Sequence, residues 1–385
     1  MTTNVTSIAR IRTAARKRAD TARSNNRTTT LLLLVTVVLV VIGLGATMSA
    51  SSTVSIAQEG EQLHFFKRQL LGVAVGLVAL VVASRVPYRV YRKAALPLYA
   101  LTLAVLVAVL MFGSTAGGAR RWIVMGGINF QPSELAKFSV IAMLALLYER
   151  KTGNLTTWGH FLAPVGFVVG AVAILLMKQP DLGTAILVGA SAMAVLWVSP
   201  APANKVFLLG IGGLAVVAVL AVGAEYRLDR LVGFLDPWSN ASTEGYQLIQ
   251  GYYALGDGGI FGVGLGASRA RWFYLPNAHT DFIFAIIGEE TGLVGAMTVL
   301  GLFLVLAATG WVVASRAPDR FGTMLAAGIT AWLSFQALIN VGGVLGVMPI
   351  TGIALPFVSF GSTALIMSMG ALGILVNISQ QGGRQ

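Results

Sequence analysis

The chain of 385 residues contains no cysteine and only three histidines, which are scattered along the sequence. The absence of cysteine excludes disulfide bonds and thiolate metal ligands, and scattered histidines argue against a zinc site. The sequence also lacks a P-loop, so it does not resemble an ATPase. Charged residues make up only 11% of the chain, whereas a soluble domain has about a quarter. These shortages together exclude an ordinary soluble enzyme.

Hydrophobic residues make up 56% of the chain, and they fall in repeated runs of about 20 residues, the length of a helix that crosses a membrane. The sequence therefore predicts an all-α, polytopic membrane protein with about ten transmembrane helices. Polar or Gly- and Pro-rich breaks separate the predicted spans. We place the spans at 30–50, 65–84, 94–113, 131–148, 159–177, 182–199, 206–223, 282–306, 321–341 and 361–377.

The basic residues indicate how the chain is oriented. With the N-terminus inside, 17 of the 27 lysines and arginines fall in inner segments, nine fall in outer segments, and Lys137 lies within a span. This bias predicts that both termini are cytoplasmic. Residues 1–29 would then form a cytoplasmic basic arm, 30–378 the ten-helix domain and 379–385 a cytoplasmic tail, while 224–281 would form one large extracytoplasmic loop. The net charge of +12 then indicates attraction to anionic membrane lipids and not to nucleic acid.

Several ionisable residues gather where this outer loop meets the eighth span. His279, Thr280 and Asp281 precede the apolar run, and Glu289 and Glu290 lie within it. Thr280 and Asp281 could simply cap a helix. Alternatively, a partly desolvated Asp281 would have a raised pKa and act as a general base on a sugar hydroxyl. Glu289 and Glu290 are expected to brace the bundle by pairing with neighbouring helices.

Two motifs flank the start of the fourth span. Arg120, Arg121 and Trp122 lie in an outer loop, against the positive-inside trend. They would either anchor lipid head groups or clamp a diphosphate, since the guanidinium fork matches phosphate oxygens. The second motif, Gln131 to Lys137, places Glu134 and Lys137 three residues apart. These two could pair with each other, but a charged pair in a membrane helix still needs a wet or protein-lined cavity.

Two further outer segments have an unusual composition. Gln179 and Asp181 mark a tight turn before the sixth span, which Asp181 could cap. The last outer loop, 346–361, is rich in glycine and proline, and such irregular backbone at membrane depth must line a cavity or be buried in protein. It is therefore either a ligand-contacting loop or a structural re-entrant turn. The candidate ligand contacts in this loop are Pro349, Thr351, Gly352 and Ser359.

A candidate base, a cationic cluster and a lipid-accessible groove thus share the outer side. This combination suits an enzyme that acts on a lipid-linked diphosphate sugar, in which loss of the lipid diphosphate drives the reaction. It also suits a carrier of the same ligand. Carriers have polar groups through both membrane halves and often inverted repeats, and neither is visible here.

At these residues the chain resembles the SEDS family (shape, elongation, division and sporulation), and its FtsW division branch more than its RodA elongation branch. The resemblance covers nearly all of residues 30–378. The short segment 264–268 (Gly-Leu-Gly-Ala-Ser) is typical of the division branch, because the elongation branch has a Gly-Thr-Gln run there. The motifs that carry the resemblance are 121–122, 131–137, 179–184, 245–247, 262–266, 279–284, 288–290, 340–342 and 349–361.

The resemblance implies a peptidoglycan glycosyltransferase that polymerises lipid II at the outer face of the bacterial cytoplasmic membrane, at the division septum. Asp281 would be the base on the acceptor hydroxyl. Undecaprenyl diphosphate would leave with inversion, stabilised by Arg120 or Arg121, by Lys137, and by a divalent cation (Mg²⁺ or Mn²⁺) if one is used; no organic cofactor is expected. The substrate-binding residues implied are Arg120, Arg121, Trp122, Gln131, Glu134, Lys137, Gln179, Asp181, His279, Thr280, Pro349, Thr351, Gly352 and Ser359.

The resemblance also implies partners: a class B penicillin-binding protein bound through its membrane helix, and other divisome proteins. We expect the small residues Gly295, Ala296, Gly322 and Ala326 to form the face for that helix. A lipid II flippase and an elongation-type polymerase remain the alternatives.

The sequence departs from the family pattern at three positions, none of which is Asp281. Asn277 replaces a common glutamate, so a second carboxylate is absent. Asn129 replaces a basic residue of some relatives, and Ser362 replaces a common glycine.

Overall fold

A computed structural model describes residues 2–116, 119–125, 128–150, 155, 157–272 and 274–382, with side chains from Asn25 onward except at 116, 125 and 128. The last residues of the predicted tail, 383–385, lie outside this description. In chain order the elements are α1 (Thr2–Glu59), α2 (His64–Arg85), α3 (Arg89–Phe112), β1 (Ser114–Ala116), β2 (Ala119–Met125), β3 (Ile128–Phe130), α4 (Pro132–Arg150), α5 (Trp158–Lys178), α6 (Leu182–Trp197), α7 (Ala203–Val222), α8 (Glu225–Leu235), α9 (Tyr246–Gly258), α10 (Ile283–Ser315), α11 (Arg320–Val344) and α12 (Ser362–Gln381).

The helices confirm the predicted polytopic membrane protein. Eight helices in the described ranges are long and apolar enough to cross a membrane, namely α1 from Asn25, α2, α3, α5, α7, α10, α11 and α12. The other two predicted spans coincide with α4 and with α6, which is apolar but only 16 residues long. Of the eight long helices, α11 and α12 are the most buried, with 72% of their apolar windows inside the protein, whereas α7 has 11%. The helix α4 is also almost wholly buried. The core is therefore built around α4, α11 and α12, and α7 lies at the periphery.

Glycines let the central helices approach closely. A Cβ on Gly76 of α2 would lie 2.5 Å from the sulfur of Met369 on α12, and a Cβ on Gly373 of α12 would lie 2.4 Å from the carbonyl oxygen of Leu80 on α2. Small residues at such interfaces allow the backbone contact that stabilises helix pairs in membranes. The α2–α12 pair is thus fixed by reciprocal close contacts.

The prediction that Gly295, Ala296, Gly322 and Ala326 form a face for a partner helix is wrong for three of the four residues. Ala296 is 8% exposed and Ala326 is fully buried. A Cβ on Gly322 would meet Asp319 and Tyr88 of this chain at 3.2 and 3.3 Å. Because these small residues pack against the chain's own helices, they cannot present a surface to another protein.

A small antiparallel sheet, for which the sequence carried no predicted strand, lies between α3 and α4. Its strands follow in the order β1-β2-β3, and β2 carries Arg120, Arg121 and Trp122. Ser114 pairs with Trp122 and Val124 pairs with Asn129. Because successive side chains of a strand point to opposite faces, the two adjacent arginines face different surroundings.

The segment between α7 and α10 contains α8 and α9 and then a glycine-rich stretch that joins α10. The helix α10 is interrupted at Gly292, where φ is +67°. Backbone N–H groups of Val263 and Gly264 donate to the carbonyls of Glu289 and Glu290, at 2.9 and 3.1 Å. The break thus exposes helix carbonyls that the outer segment satisfies.

Candidate active site

Asp281 lies in the short link between the outer segment and α10. Asn277, with φ of +54°, turns the chain, and its carbonyl accepts hydrogen bonds from the N–H groups of Thr280 and Phe282 at 3.1 and 3.3 Å. The helix begins at Ile283, and no side chain caps it. The capping interpretation of Thr280 and Asp281 is therefore wrong. The Asp281 carboxylate is free of that structural role.

The last outer loop holds this link in place. Asn340 donates from Nδ2 to the carbonyls of Asp281 and Ile353, both at 2.8 Å. Buried Ser359 donates to the carbonyl of Thr280 at 2.6 Å and accepts from the N–H of Leu355 at 2.8 Å. The loop 346–361 and Asn340 of α11 therefore fix the backbone carbonyls of Thr280 and of Asp281 itself.

Gly352 brings this loop next to the carboxylate itself. Its φ is +74°, and a Cβ there would lie 3.6 Å from Oδ2 of Asp281. Glycine adopts this left-handed backbone without the steric cost that other residues have. The irregular loop thus lines the site, as one of the two interpretations from the sequence predicts.

The surroundings of Asp281 favour a proton acceptor that works near neutral pH. Burial raises the pKa of Asp281 from its ordinary 3.8 to about 6, although Arg230, Arg121 and a hydrogen bond from Thr280 all act to lower it. A base with a pKa close to the working pH is both ionised and basic enough to accept a proton.

His279 does not share this role. Burial lowers the pKa of His279 to about 4, so its ring is neutral at physiological pH. The ring packs against Phe65 and Phe360, with centroids at 5.1 and 5.7 Å. His279 therefore supports the link by packing.

Two cavities meet beside Asp281. The first, of about 300 Å³, is lined by Asp281 and Gly352 together with polar residues that include Glu244 and Gln247. The second, of about 240 Å³, runs between α6, α7 and α8 and has a mainly apolar lining. Arg230 and Ile350 line both cavities. The first cavity, which has many polar lining residues, therefore meets the second, mainly apolar cavity at the cationic side chain of Arg230.

Only one of the paired arginines on β2 reaches this site. Arg121 donates from Nε to the carbonyl of Gln179 at 2.9 Å and from Nη2 to the carbonyl of Pro180, and it lines the second cavity. Arg120 is exposed and Trp122 is partly exposed, and neither lines a described cavity around Asp281. The alternation of the strand accounts for this division.

The turn before α6 joins the second cavity. Asp181 caps α6, because its carboxylate accepts from the N–H of Thr184 at 3.2 Å and from its hydroxyl at 2.9 Å. It also lines the second cavity with Pro349 and Thr351. Gln179 is buried and donates to the carbonyl of Leu106 at 3.2 Å.

The motif at the start of α4 lies inside the bundle instead of in either cavity. Lys137 is 1% exposed. Its Nζ lies 2.7 Å from Oε2 of Glu134 and 2.9 Å from Oε1 of Gln336, and Gln336 in turn donates to the carbonyl of Ala354 at 2.8 Å. Gln131 accepts the N–H of Glu134 through its backbone at 3.1 Å. This network supports the last outer loop from within.

Glu289 and Glu290 brace the outer segment and α1. Glu289 accepts from the hydroxyl of Ser268 at 2.5 Å and from the N–H of Arg269 at 2.7 Å. Glu290 accepts from the hydroxyl of Ser49. The bracing predicted for these carboxylates is present, but Glu289 holds a loop and not a neighbouring helix.

Two residues at the site, Arg230 and Asn340, were not predicted from the sequence. Arg230 belongs to α8, where Arg227 and Arg230 are three residues apart and both line the second cavity. That helical spacing was the available signal. Asn340 was visible only as part of a family motif, because nothing local to α11 indicates that it reaches across to Asp281.

The described residues do not fit a metal held by protein ligands. No group of three or more His, Asp or Glu in the described ranges is placed to hold an ion, and the charges that act on Asp281 belong to arginines. Mg²⁺ is usually bound by one or two carboxylates together with substrate phosphates. Any divalent cation would thus depend on the substrate's own oxygens.

Known proteins are similar to this chain along most of its length. Residues 29–383 match the family described as "Cell cycle protein", of FtsW, RodA and SpoVE. The chain is 38% identical over 339 residues to the probable peptidoglycan glycosyltransferase FtsW of Geobacter sp. (strain M18), covering 88% of this chain and 92% of that protein. It is also 38% identical over 341 residues to stage V sporulation protein E of Bacillus subtilis (strain 168), with 88% and 93% covered.

Solved structures agree. A chain from the structure "Structural coordination of polymerization and crosslinking by a peptidoglycan synthase complex" matches with a TM-score of 0.74 and 28% identity, covering 91% of this chain and 97% of that one. The rod shape determining protein RodA of Thermus thermophilus matches with a TM-score of 0.68 and 27% identity, with 91% and 96% covered. The chain therefore belongs to the FtsW, RodA and SpoVE family of cell cycle proteins, the SEDS proteins.

Proposed function

We propose that this protein is a peptidoglycan glycosyltransferase that polymerises lipid II, with Asp281 as the general base. The observation that carries the proposal is the position of Asp281, whose pKa is raised to about 6 beside the boundary between a polar and an apolar cavity. Lipid II has the same division, with a disaccharide-peptide on one side and a polyprenyl chain on the other. The name of the Geobacter relative, probable peptidoglycan glycosyltransferase FtsW, supports the same activity.

The reaction requires one proton transfer and one displacement. Asp281 accepts the proton of the acceptor sugar's 4-hydroxyl, and the resulting oxygen attacks the anomeric carbon of the donor. The bond between that carbon and the diphosphate oxygen breaks, and undecaprenyl diphosphate leaves. A single displacement inverts the anomeric carbon. No carboxylic acid is needed to protonate the leaving group, in contrast to hydrolysis of ordinary glycosides.

Arginines are placed to stabilise the departing charge. Arg230 lines both cavities, and Arg121 lines the second. Preorganised cations near a transferring phosphoryl group stabilise the charge that develops on it. We assign this role to Arg230 and Arg121 and not to Lys137, whose ammonium pairs with Glu134 inside the bundle.

The setting of this activity is the division septum in the bacterial cytoplasmic membrane, with the site on the extracytoplasmic face and both termini inside. The FtsW and sporulation relatives favour division over elongation. A class B penicillin-binding protein is the proposed partner, supported by the match to a chain of a peptidoglycan synthase complex. Its membrane helix would pack on apolar residues that α10 exposes, such as Leu293, Met297 and Leu304.

The test is lipid II polymerisation by the purified protein with its transpeptidase partner. Wild type is compared with Asp281→Asn, which keeps the side chain's shape and removes the base. Asp229→Asn is the matched control, because Asp229 is an exposed carboxylate on α8 that lines neither cavity. Glycan from wild type and the control, with a loss of about 100-fold or more in Asp281→Asn, is the expected result.

Other outcomes would contradict one part of the proposal each. Equal glycan from Asp281→Asn would remove Asp281 as the base. Absence of glycan from every variant, together with lipid II crossing vesicle membranes, would favour a carrier over a polymerase.

A further inference from the structure

A third cavity opens on the outer side between α9 and the segment that carries Arg269 and Tyr274, and Asp281, Arg230 and Arg121 do not line it. Its volume is about 230 Å³. Gln250, Tyr253 and Asp257 line it from α9, and Arg269 and Tyr274 line it from the opposite segment. The cavity therefore combines aromatic rings, an amide and charges of both signs.

The helix α9 connects this cavity to the active site. Tyr246, at the start of α9, lines the cavity of Asp281. Tyr246, Gln250, Tyr253 and Asp257 follow each other at helical spacings of four, three and four residues, so they form one stripe along the helix. At 1.5 Å per residue the stripe is about 16 Å long. It leads directly from the catalytic cavity to the third cavity.

The aromatic rings of the third cavity are open to a ligand. Tyr253 is 54% exposed and Tyr274 is 59% exposed. The ring of Trp238 meets that of Tyr253 edge to face, with centroids 6.2 Å apart. Exposed rings beside polar groups suit a ligand with apolar C–H faces and many hydroxyl and amide groups, which is the chemistry of an N-acetylated saccharide.

The wall opposite α9 is held firmly. Buried Glu289 accepts from the hydroxyl of Ser268 and from the N–H of Arg269, and this fixes the backbone that carries the Arg269 side chain. On the α9 side, a Cβ on Gly258 would lie 2.1 Å from the carbonyl oxygen of Gly288, so α9 is seated tightly against α10. Both walls are thus preorganised, which lowers the entropic cost of binding.

We propose that the α9 stripe and the third cavity bind the glycan strand beyond its reacting sugar, and so keep it on the enzyme between additions. The inference rests on the proposed polymerase function and adds a saccharide-binding site to it. Stacking on Tyr253 and Tyr274 holds the sugar rings, and Arg269 pairs with carboxylates of the stem peptides. The site therefore acts on strand length and not on the chemical step.

The experiment compares wild type with Tyr253→Ala/Tyr274→Ala and with Tyr253→Phe/Tyr274→Phe. Phe261→Ala is the matched control, because Phe261 is an aromatic residue on the same outer segment, 83% exposed, and lines none of the three cavities. Two quantities are measured on lipid II: the rate of the first coupling and the distribution of strand lengths. A third is the affinity of Asp281→Asn, with and without the alanine pair, for lipid-free glycan oligosaccharides.

The alanine pair is expected to shorten the strands several-fold at an unchanged first-coupling rate. It should weaken oligosaccharide binding about 30-fold, which corresponds to about 2 kcal/mol for the two lost ring contacts together, at about 1.4 kcal/mol for each factor of ten. The phenylalanine pair and the Phe261→Ala control should behave as wild type. The phenylalanine pair retains the rings, so it also separates a loss of stacking from a loss of folding.

Three results would overturn the inference: unchanged strand length and affinity in the alanine pair, an equal loss of the first coupling, or binding to bare lipid vesicles in place of the saccharide. Failure of the proposed polymerase itself would look different, because wild type would then make no glycan at all. The binding measurement on Asp281→Asn needs no polymerisation and still decides whether the saccharide site exists.

Discussion

Replacing the candidate base should make the protein more stable while it inactivates it. In the folded protein, burial holds the pKa of Asp281 at about 6, against an ordinary value of 3.8. This difference corresponds to about 3 kcal/mol, at 1.36 kcal/mol for each pH unit. The raised value means that the ionised carboxylate is less favourable in the folded state than in the unfolded one. Asp281→Asn removes that penalty.

Because the pKa of Asp281 is higher in the folded than in the unfolded protein, the direction of the pH dependence is determined. Between pH 3.8 and about 6 the folded state binds more protons than the unfolded state, so this group lowers stability as pH rises, and the full penalty is present above about 6. Asp281→Asn should therefore gain about 3 kcal/mol over wild type at pH 8, about half of that at pH 5, and almost nothing below pH 3.8.

The assay is thermal unfolding of both proteins in the same detergent, followed by tryptophan fluorescence at pH 8 and at pH 5. A gain of a few degrees in Tm at pH 8 is expected, with a smaller gain at pH 5. The Asp229→Asn variant, which alters an exposed carboxylate, should show no such gain. A variant no more stable than wild type at pH 8, or a gain that does not shrink at pH 5, would refute the argument that Asp281 is desolvated.

Three further outcomes follow from the contacts described. Arg230→Gln removes a cation that lowers the pKa of Asp281, so that pKa should rise. As pH is lowered, the rate of polymerisation should therefore fall to half its maximum at a higher pH than in wild type. A pH–rate profile checks this, and an unshifted profile would contradict the placement of Arg230. Ser359→Ala removes two buried hydrogen bonds that fix the last outer loop, and should cost about 1–3 kcal/mol of stability, measured by thermal unfolding. Gly258→Ala places a Cβ 2.1 Å from the carbonyl oxygen of Gly288 and should destabilise the protein by about 1–3 kcal/mol, whereas Ala substitution at the open position Gly256 should not.

Hydrophobic run length was enough to predict the long apolar helices, because each apolar segment must satisfy its backbone internally in a membrane. It did not predict α8 and α9, which lie within the outer segment 224–281. The residues at which the helices end were harder to predict. The first span was predicted to end at residue 50, yet α1 continues to Glu59. Ser51, Ser52, Thr53 and Ser55 resemble a loop in composition, but they are buried against neighbouring helices. Tertiary packing thus extends a helix where local polarity predicts its end.

At the candidate site, too, some residues could be predicted from the sequence and others could not. Asp281 stood out because a carboxylate beside an apolar run is unusual, and its surroundings support that reading. The roles of Lys137 and Arg230 depend on contacts between segments far apart in the chain. Lys137 pairs with Gln336 of α11, and Arg230 approaches Asp281 from α8. The spacing of Glu134 and Lys137, and that of Arg227 and Arg230, places each pair on one helical face, but it does not indicate which distant segment that face contacts.

The interruption at Gly292 changes what α10 has to accomplish. The portion after it, 293–315, has 23 residues, which at 1.5 Å per residue extend about 34 Å and alone suffice for a hydrocarbon core of about 30 Å. The nine residues of α10 before the break, 283–291, are therefore not needed to cross the membrane. Glu289 and Glu290 therefore lie in a part of α10 that does not have to cross the lipid. This short helical portion, which follows Asp281, packs on protein and supports the site.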